Sequence, residues 1–446
     1  MNVRVTSKIS ICIIVFIVLI ISTKIIFHEP TIPIIYVAGN GSGDFNCDGK
    51  DDHVQINQAL DYAAKNPGTT VHLKGPFTYV IDSPLLIGDN TVLQGDKSAV
   101  VKLTDEANWG SPWIPLIKNR DTGGNHDIII QGFEIDGNGP NQTRLSEDQY
   151  GSGYYCLILF DLSYNITIQN MYMHNSCMDG ARLTYKYTLT PSNKGNVKFA
   201  NNTVYKIGHD ALYCIGMNNI DAYNNDVFTR INSAFRLQNS NHAKIHDNNI
   251  HSEYTGDSTG PGIEIQRTGS KSVMDNIEIF SNTIHNLNGA GIWMGEGGDE
   301  DDIVKGNDVH IHHNIFYNVG QYWRDTGHSN AAIVVGQYNN TTIENNVIID
   351  GGHAGIQTGP GPSHTQTLTT VVRNNIIANH DDHEAVGILN NDPAYNVFVS
   401  QNNCFYNNVG GSYKGTNIIS SNDIETDPLF ANITDHDYHL MSKAGR

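Results

Sequence analysis

From about Asp161 onward, hydrophobic residues come in short alternating bursts separated by polar bends, not in helical stripes. NITIQN, NVKFANN, AKIHDNN, IEIFSN, VHIHHN, TTIENN, TVVRNN and VFVSQNN each run a β-branched strand into a polar closing pair, most often Asn-Asn. A short apolar pair follows (MYMHN, TVYKI, TIHNL, IFYNV, VIIDG), then a turn of variable length. A second strand closes the unit: ARLTY, ALYCI, AFRLQ, GIEIQ, GIWMG, AIVVG, GIQTG. Alternation of this kind predicts strands, and a unit of roughly 22 to 30 residues predicts a solenoid or a propeller. No Trp-Asp blade signature, leucine-rich consensus or helical pattern lies between the strands. The expected fold is therefore all-β: a single-stranded right-handed parallel β-helix of about ten coils, with like strands stacked about 4.8 Å apart. The Asn pairs predict bends, because Asn accepts left-handed geometry and its amide stacks in ladders.

Two segments depart from the repeat. Asp51 to Lys65 reads as an amphipathic helix with Val54, Ile56, Leu60 and Ala63–Ala64 near one face, suited to capping the open first coil. TVHLKG, YVIDSPLLI and NTVLQGD follow as the first strands. Residues 1–30 carry Arg4 and Lys8 before the apolar run Ile9 to Ile21, the plan of a secretory signal or an uncleaved membrane anchor. The expected organisation is a leader over 1–30 and one β-helix domain over 31–446, its N-terminal cap at about 35–70 and its C-terminal end shortened. The chain is then secreted or anchored at the cell surface, with membrane contact through the N-terminus only.

Composition narrows the partners. A net charge of −19 argues against nucleic acid, which needs clustered Lys and Arg. An acidic glycan stays open, because a local Arg pair can oppose the global field. Forty-three glycines and 14 prolines suit many tight turns. Of six cysteines, Cys12 lies in the leader, and the others show no metal-type spacing. Cys177 and Cys214 read as small buried apolar residues. HIHH at 310–313 alternates along a strand and ends at a bend, and reads as a structural ladder in preference to a metal site.

The second strands align by their inward residues: Leu212 and Cys214, Phe235 and Leu237, Ile263 and Ile265, Ile292 and Met294, Ile333 and Val335. The residue between each pair points outward. The outward column is Arg182, Tyr213, Arg236, Glu264, Trp293, Val334 and Gln357, with Gln238 and Gln266 two residues further on. Asp179 and Asp210 lie three residues before it in neighbouring coils. Arginine, aromatic and carboxylate side chains on one sheet suit a sugar groove. An indole stacks on a pyranose face, and paired guanidinium groups clamp a carboxylate. Plainer readings exist: a cross-strand Arg236–Glu264 ion pair, and Asp179 and Asp210 as turn residues capping amides.

The opening GDFNCDGKDDHVQINQAL, followed by a Gly/Asn-rich strand repeat, resembles pectate-lyase-like β-helix proteins, which include polygalacturonases, uronan epimerases and phage tailspikes. The opening YVAGNGSGDFNCDGKDDHVQINQAL and the closing DPLFAN…DYHLMSKAGR look more narrowly like disaggregatases, surface enzymes of methane-producing archaea. The resemblance implies an enzyme degrading a chondroitin-like matrix polysaccharide and causing cell disaggregation. The polygalacturonase motifs NTDG and RIK are missing, and GHD at 208–210 is too short to transfer roles.

Glycoside hydrolysis needs an acid and a second carboxylate. Glu264 and Asp210 supply them, with Asp179 in support, and one of the two neighbouring aspartates is expected to hold its proton near neutral pH. Arg236 completes the catalytic set. Arg182, His209, Tyr213, Gln238, Gln266, Trp293, Glu296 and Gln357 are expected to bind substrate, with Asp257 and Glu296 in reserve on flanking loops. A lyase or epimerase would use Tyr213, His209 or Arg236 as base, and a binding module would keep only the stacking. No cofactor is needed for catalysis. Asp44, Asn46, Asp48 and Asp52 match the first half of a calcium loop, lacking its bidentate Glu, and read either as a structural Ca²⁺ site or as an Asx-rich turn.

Overall fold

The computed structural model describes residues 33–441 except 108, 110–113, 143–155, 186–193, 230–231, 253–259, 269–273, 297–305, 322–330, 360–366 and 382–384. Residues 1–32, which include the 1–30 segment expected to be a leader, lie outside the described residues. Among the described residues no helix is long and apolar enough to cross a membrane.

The chain winds as a right-handed parallel β-helix with three parallel sheets of 15, 13 and 12 strands. Each coil passes through all three, so the apolar pair after each bend is a strand of its own, as in Tyr172–Ser176 and Thr203–Ile207. There are accordingly more coils than the ten expected. The winding also starts before Asp161, with Ile34–Ala38 pairing with Thr70–Leu73. Two coils lack the Asn rung, because buried Phe133 and Met171 stand at that place in the first bend.

From Asn202 to Asn403 that bend carries a ladder. The residue before each rung takes a left-handed φ, as at Asn201, Asn224, Asp247 and His313. The rung itself turns inward. Asn225 Nδ2 donates to the Phe199 carbonyl at 2.9 Å and to Asn248 Oδ1 at 2.9 Å, while Asn248 Oδ1 also accepts the Asn225 amide at 3.0 Å. The same three bonds recur at Asn282, Asn314, Asn346 and Asn375. Asp423 Oδ1 takes the last amide, that of Asn403, at 2.6 Å. Buried backbone groups at a bend must find partners, and this column supplies them.

The bend between the first and second sheets is always two residues, from Gln131/Glu134 to Gln401/Cys404. Over those coils length varies beside the third sheet, as between Val319 and Ala331 or Glu296 and Gly306, while the two earliest bends, Leu73 to Phe77 and Gly95 to Ala99, take three residues.

The helix is His53–Lys65, and Ile56, Ala59, Leu60 and Ala63 join the core at the first coils. Val54 faces solvent, and Ala59 takes the buried place expected for it. Asn57 fastens the helix to the chain through the Pro84 carbonyl and the Leu86 amide. At the other end Phe430–Asn432 and Asp437–Leu440 pair antiparallel, and Tyr438 packs with Ile349 and Ala378 of the second sheet. Cys47, Cys156, Cys177, Cys214 and Cys404 are free thiols, the first four buried.

Candidate active site

Register in the third sheet sets one outward column: Leu159, Arg182, Tyr213, Arg236, Glu264, Trp293, Val334, Gln357, Leu389. This is the column the alternation predicted. The unbroken run of charged and aromatic side chains is Arg182 to Trp293, bounded by Leu159 and Val334, with Lys118 and Lys414 in the same column nearer its ends. Gln357 and Val334 are buried, and Trp293 packs partly against Val334 and Leu389 in a small apolar cluster. Trp293 thus has a packing role besides any stacking one, and Gln357 lies apart from the charged group.

Just before the column, Asp179, Asp210 and Ser233 stack at equivalent bend positions. Asp179 Oδ1 accepts the Asp210 amide at 3.1 Å, and Asp210 Oδ1 accepts the Ser233 amide at 3.1 Å. Ser233 Oγ donates to Glu264 Oε2 at 2.8 Å. Both aspartates therefore cap amides, the plainer reading, and also face charge. His209 Nδ1 lies 2.6 Å from Asp179 Oδ1 and 3.0 Å from Asp210 Oδ2. Arg182 Nη1 is 3.4 Å from Asp179 Oδ2. Arg236 reaches Asp210 Oδ2 at 3.6 Å and Glu264 Oε1 at 3.3 Å.

The guanidinium carbons of Arg182 and Arg236 each lie 4.7 Å from the centre of the Tyr213 ring, a cation–π sandwich worth roughly 0.5–2 kcal/mol per contact. The Tyr213 hydroxyl meets Gln238 Oε1, Gln238 donates to Thr268 at 2.8 Å, and Gln266 Oε1 accepts from Arg236. These bonds make Gln238 and Gln266 braces of Tyr213 and Arg236.

Burial layers the cluster. Asp179 and Asp210 are fully buried (0%), and Glu264 is nearly so at 5%. Side-chain exposure is 11% at His209, 13% at Arg182 and 17% at Arg236. Burial pushes Asp179 up, but the His209 hydrogen bond and the charges of His209 and Arg182 outweigh it and hold the carboxyl below the usual range. Burial pulls His209 down, yet the charge of Asp210 and the hydrogen bond and charge of Asp179 push it well above an ordinary imidazole. Glu264 goes up, chiefly through burial and further through Asp210, against the lowering by Arg236, Ser233 and His209. Burial also raises Tyr213. The carboxyl shifted upward is thus Glu264, whereas Asp179 is shifted downward by the His209 ring against it.

Two residues escaped the sequence reading. Ser233 holds Glu264, and Asn232 Nδ2 lies 3.0 Å from His209 Nε2. The signal was present: Ser233 occupies the bend position that Asp179 and Asp210 occupy one and two coils earlier. Glu296 pairs in register with Arg267, and its side chain is not described. Asp257 lies outside the described residues, as do most of the loop segments expected to wall the groove. Asp44, Asn46, Asp48 and Asp52 spend their oxygens on the amides of Tyr36, Gly43, Lys50, and Asp48, Gly49 and Val80 respectively. That is an Asx-rich turn; among the described residues their carboxylates do not converge as a metal-holding group.

The sheets and the site define a right-handed parallel β-helix protein, and residues 122–309 match the family model for the right-handed β-helix region. Residues 274–446 match the family described as disaggregatase related, so the chain carries a disaggregatase-related region on that fold. No curated protein matches it in sequence. Among solved structures it is similar to the A-module of the mannuronan C-5 epimerase AlgE6 of Azotobacter vinelandii (15% identity, 85% of this chain and 96% of that one, TM-score 0.50). It is also similar to the polygalacturonase of Erwinia carotovora ssp. carotovora (13%, 88% and 98%, 0.50). A third is gene product 12 of bacteriophage phi29 (16%, 87% and 56%, 0.54). At these identities the likeness is one of fold.

Proposed function

We propose that this chain is an extracellular or surface-anchored glycoside hydrolase that cleaves a uronic-acid-containing, chondroitin-like matrix polysaccharide and so separates cells. The observation that carries the reading is Glu264: a carboxyl raised by burial, held by Ser233 and Arg236 at the centre of an Arg/Tyr column. A protonated carboxyl is what a glycosidic oxygen needs as it leaves. Arg182 and Arg236 form the outer, cationic layer and would bind the uronate. Glu264 donates its proton to the leaving oxygen as the glycosidic bond breaks. Water attacks the anomeric carbon and loses its proton to Asp210. In the unliganded chain Asp210 Oδ2 lies beneath Arg236. Transfer of that guanidinium to the substrate carboxylate would open the path to it. Asp179 would act as a positioning residue that holds His209.

Elimination or epimerisation would need a base at the uronate C5. Tyr213 and His209 are both pushed toward their protonated forms, which weakens that alternative. A purely binding surface protein has no use for a raised, hydrogen-bonded carboxyl. The deciding experiment is mass spectrometry of the products from a uronate-containing glycan. Products with one water added per cleavage support the hydrolase, whereas unsaturated, ultraviolet-absorbing ends overturn it in favour of a lyase. Intact glycan that nevertheless binds would overturn it in favour of the binding module.

A further inference from the structure

A second cluster lies on a different face from the charged column. On the outer side of the first sheet, His310 and His312 point the same way from Gly306–His312, and Glu278 stands beside them on the neighbouring strand Met274–Phe280, paired in register with His310. One nitrogen from each ring and one Glu278 oxygen all lie within 4.8 Å of one another. The group is open to solvent: side-chain exposure is 40% at His310, 33% at Glu278 and 15% at His312. It borders a shallow depression of about 610 Å³ whose lining includes Asp221, Lys244, Glu278, Asp308 and His310.

We infer that Glu278, His310 and His312 form a binding site for a divalent transition-metal ion of the zinc class, outside the charged column. Two imidazoles at alternate positions of one strand and a carboxylate on the next supply three ligands of the types zinc prefers, with a fourth position left open. Water or an anionic oxygen of a ligand would fill it. His310 already has an outer partner of the kind that orients a metal-bound imidazole, with Glu344 Oε1 2.9 Å from its Nε2, and His312 Nε2 lies 3.1 Å from Glu278 Oε1. Lys244 Nζ, 3.2 Å from Glu278 Oε2, is the competing cation and would give way to the ion. Calcium is excluded by ligand type, because two of the three donors are nitrogen.

The test is calorimetric titration of zinc chloride into the full chain, made without a polyhistidine tag and stripped of metal beforehand. One site per chain is expected, weakened by more than about tenfold in Glu278→Gln and in His310→Ala, with no heat from calcium. Both variants change partly exposed side chains, and an unchanged melting temperature without metal shows that they fold. Equal zinc affinity and stoichiometry in wild type and both folded variants would overturn the inference. So would several weak, equivalent sites in the wild type.

Discussion

The amide ladder and the charged column are built by the same coil, one rung per turn, and they obey opposite rules. From Asn202 to Asn403 the ladder repeats one residue, because every rung meets the same demand: a carbonyl of the preceding coil, and the amide and Oδ1 of its neighbours. The column changes at each step through Arg182, Tyr213, Arg236, Glu264 and Trp293, between Leu159 and Val334. A solenoid needs repetition to satisfy its backbone. Where repetition stops on an outward face, the side chains answer to something other than the coil.

The comparison breaks most sharply at Glu264. Glu264→Gln should lower kcat by about 10²-fold or more while the melting temperature moves little, as read by steady-state kinetics and calorimetry on the purified chain. Near-wild-type turnover would remove this carboxyl from the chemistry. Asn314→Ala should do the reverse. It strands the Asn282 amide and the Ile279 carbonyl, at about 1–3 kcal/mol for buried groups left unpaired. The chain should melt earlier with kcat unchanged below the transition, and an unaltered melting curve would mean that the ladder is decorative.

A smaller effect separates the two by pH. His209 titrates above its unfolded value of 6.5 in the folded chain, so its contribution to stability is full below that value and is lost as pH rises through the folded one. Wild type should therefore lose more stability than His209→Gln between neutral and alkaline pH. Parallel losses in the two proteins would show that the Asp179–His209 pair is energetically silent. The raised Glu264 places the alkaline fall of kcat above an ordinary carboxyl's range, and that fall should vanish from the residual activity of Glu264→Gln. The smallest effect belongs to the acidic turn near the helix. Its oxygens already hold amides, so calcium added to chelator-treated protein should leave the melting temperature in place, and a rise that is lost in Asp48→Asn would restore the metal reading.

How much could be read from residues alone follows the same division. The coil, the left-handed bends and the inward–outward alternation were legible because they recur, and alternation alone put Arg182, Tyr213, Arg236, Glu264 and Trp293 in one line. TVHLKG, YVIDSPLLI and NTVLQGD were legible as the first strands, but the coil through Glu134–Asp136 was not, where Phe133 fills the ladder position with apolar volume. Burial was not legible either. Nothing in GHD says that Asp210 is sealed under His209 and Arg236, or that Glu264, not an aspartate, carries the raised affinity for a proton. Ser233 shows the limit most clearly, since its role depends on the coil that follows it.

The constant two-residue bend has a consequence for how such a chain can change over generations. An insertion there would put an uneven step into a staircase that is locked on both sides, and selection would remove it. Beside the third sheet the strands tolerate links of very different length, so new loop sequence can be grafted around the cleft while its floor stays in register. On the hydrolase reading proposed above, a different sugar can be accommodated by exchanging those links, one coil at a time, while the sheet beneath keeps its register.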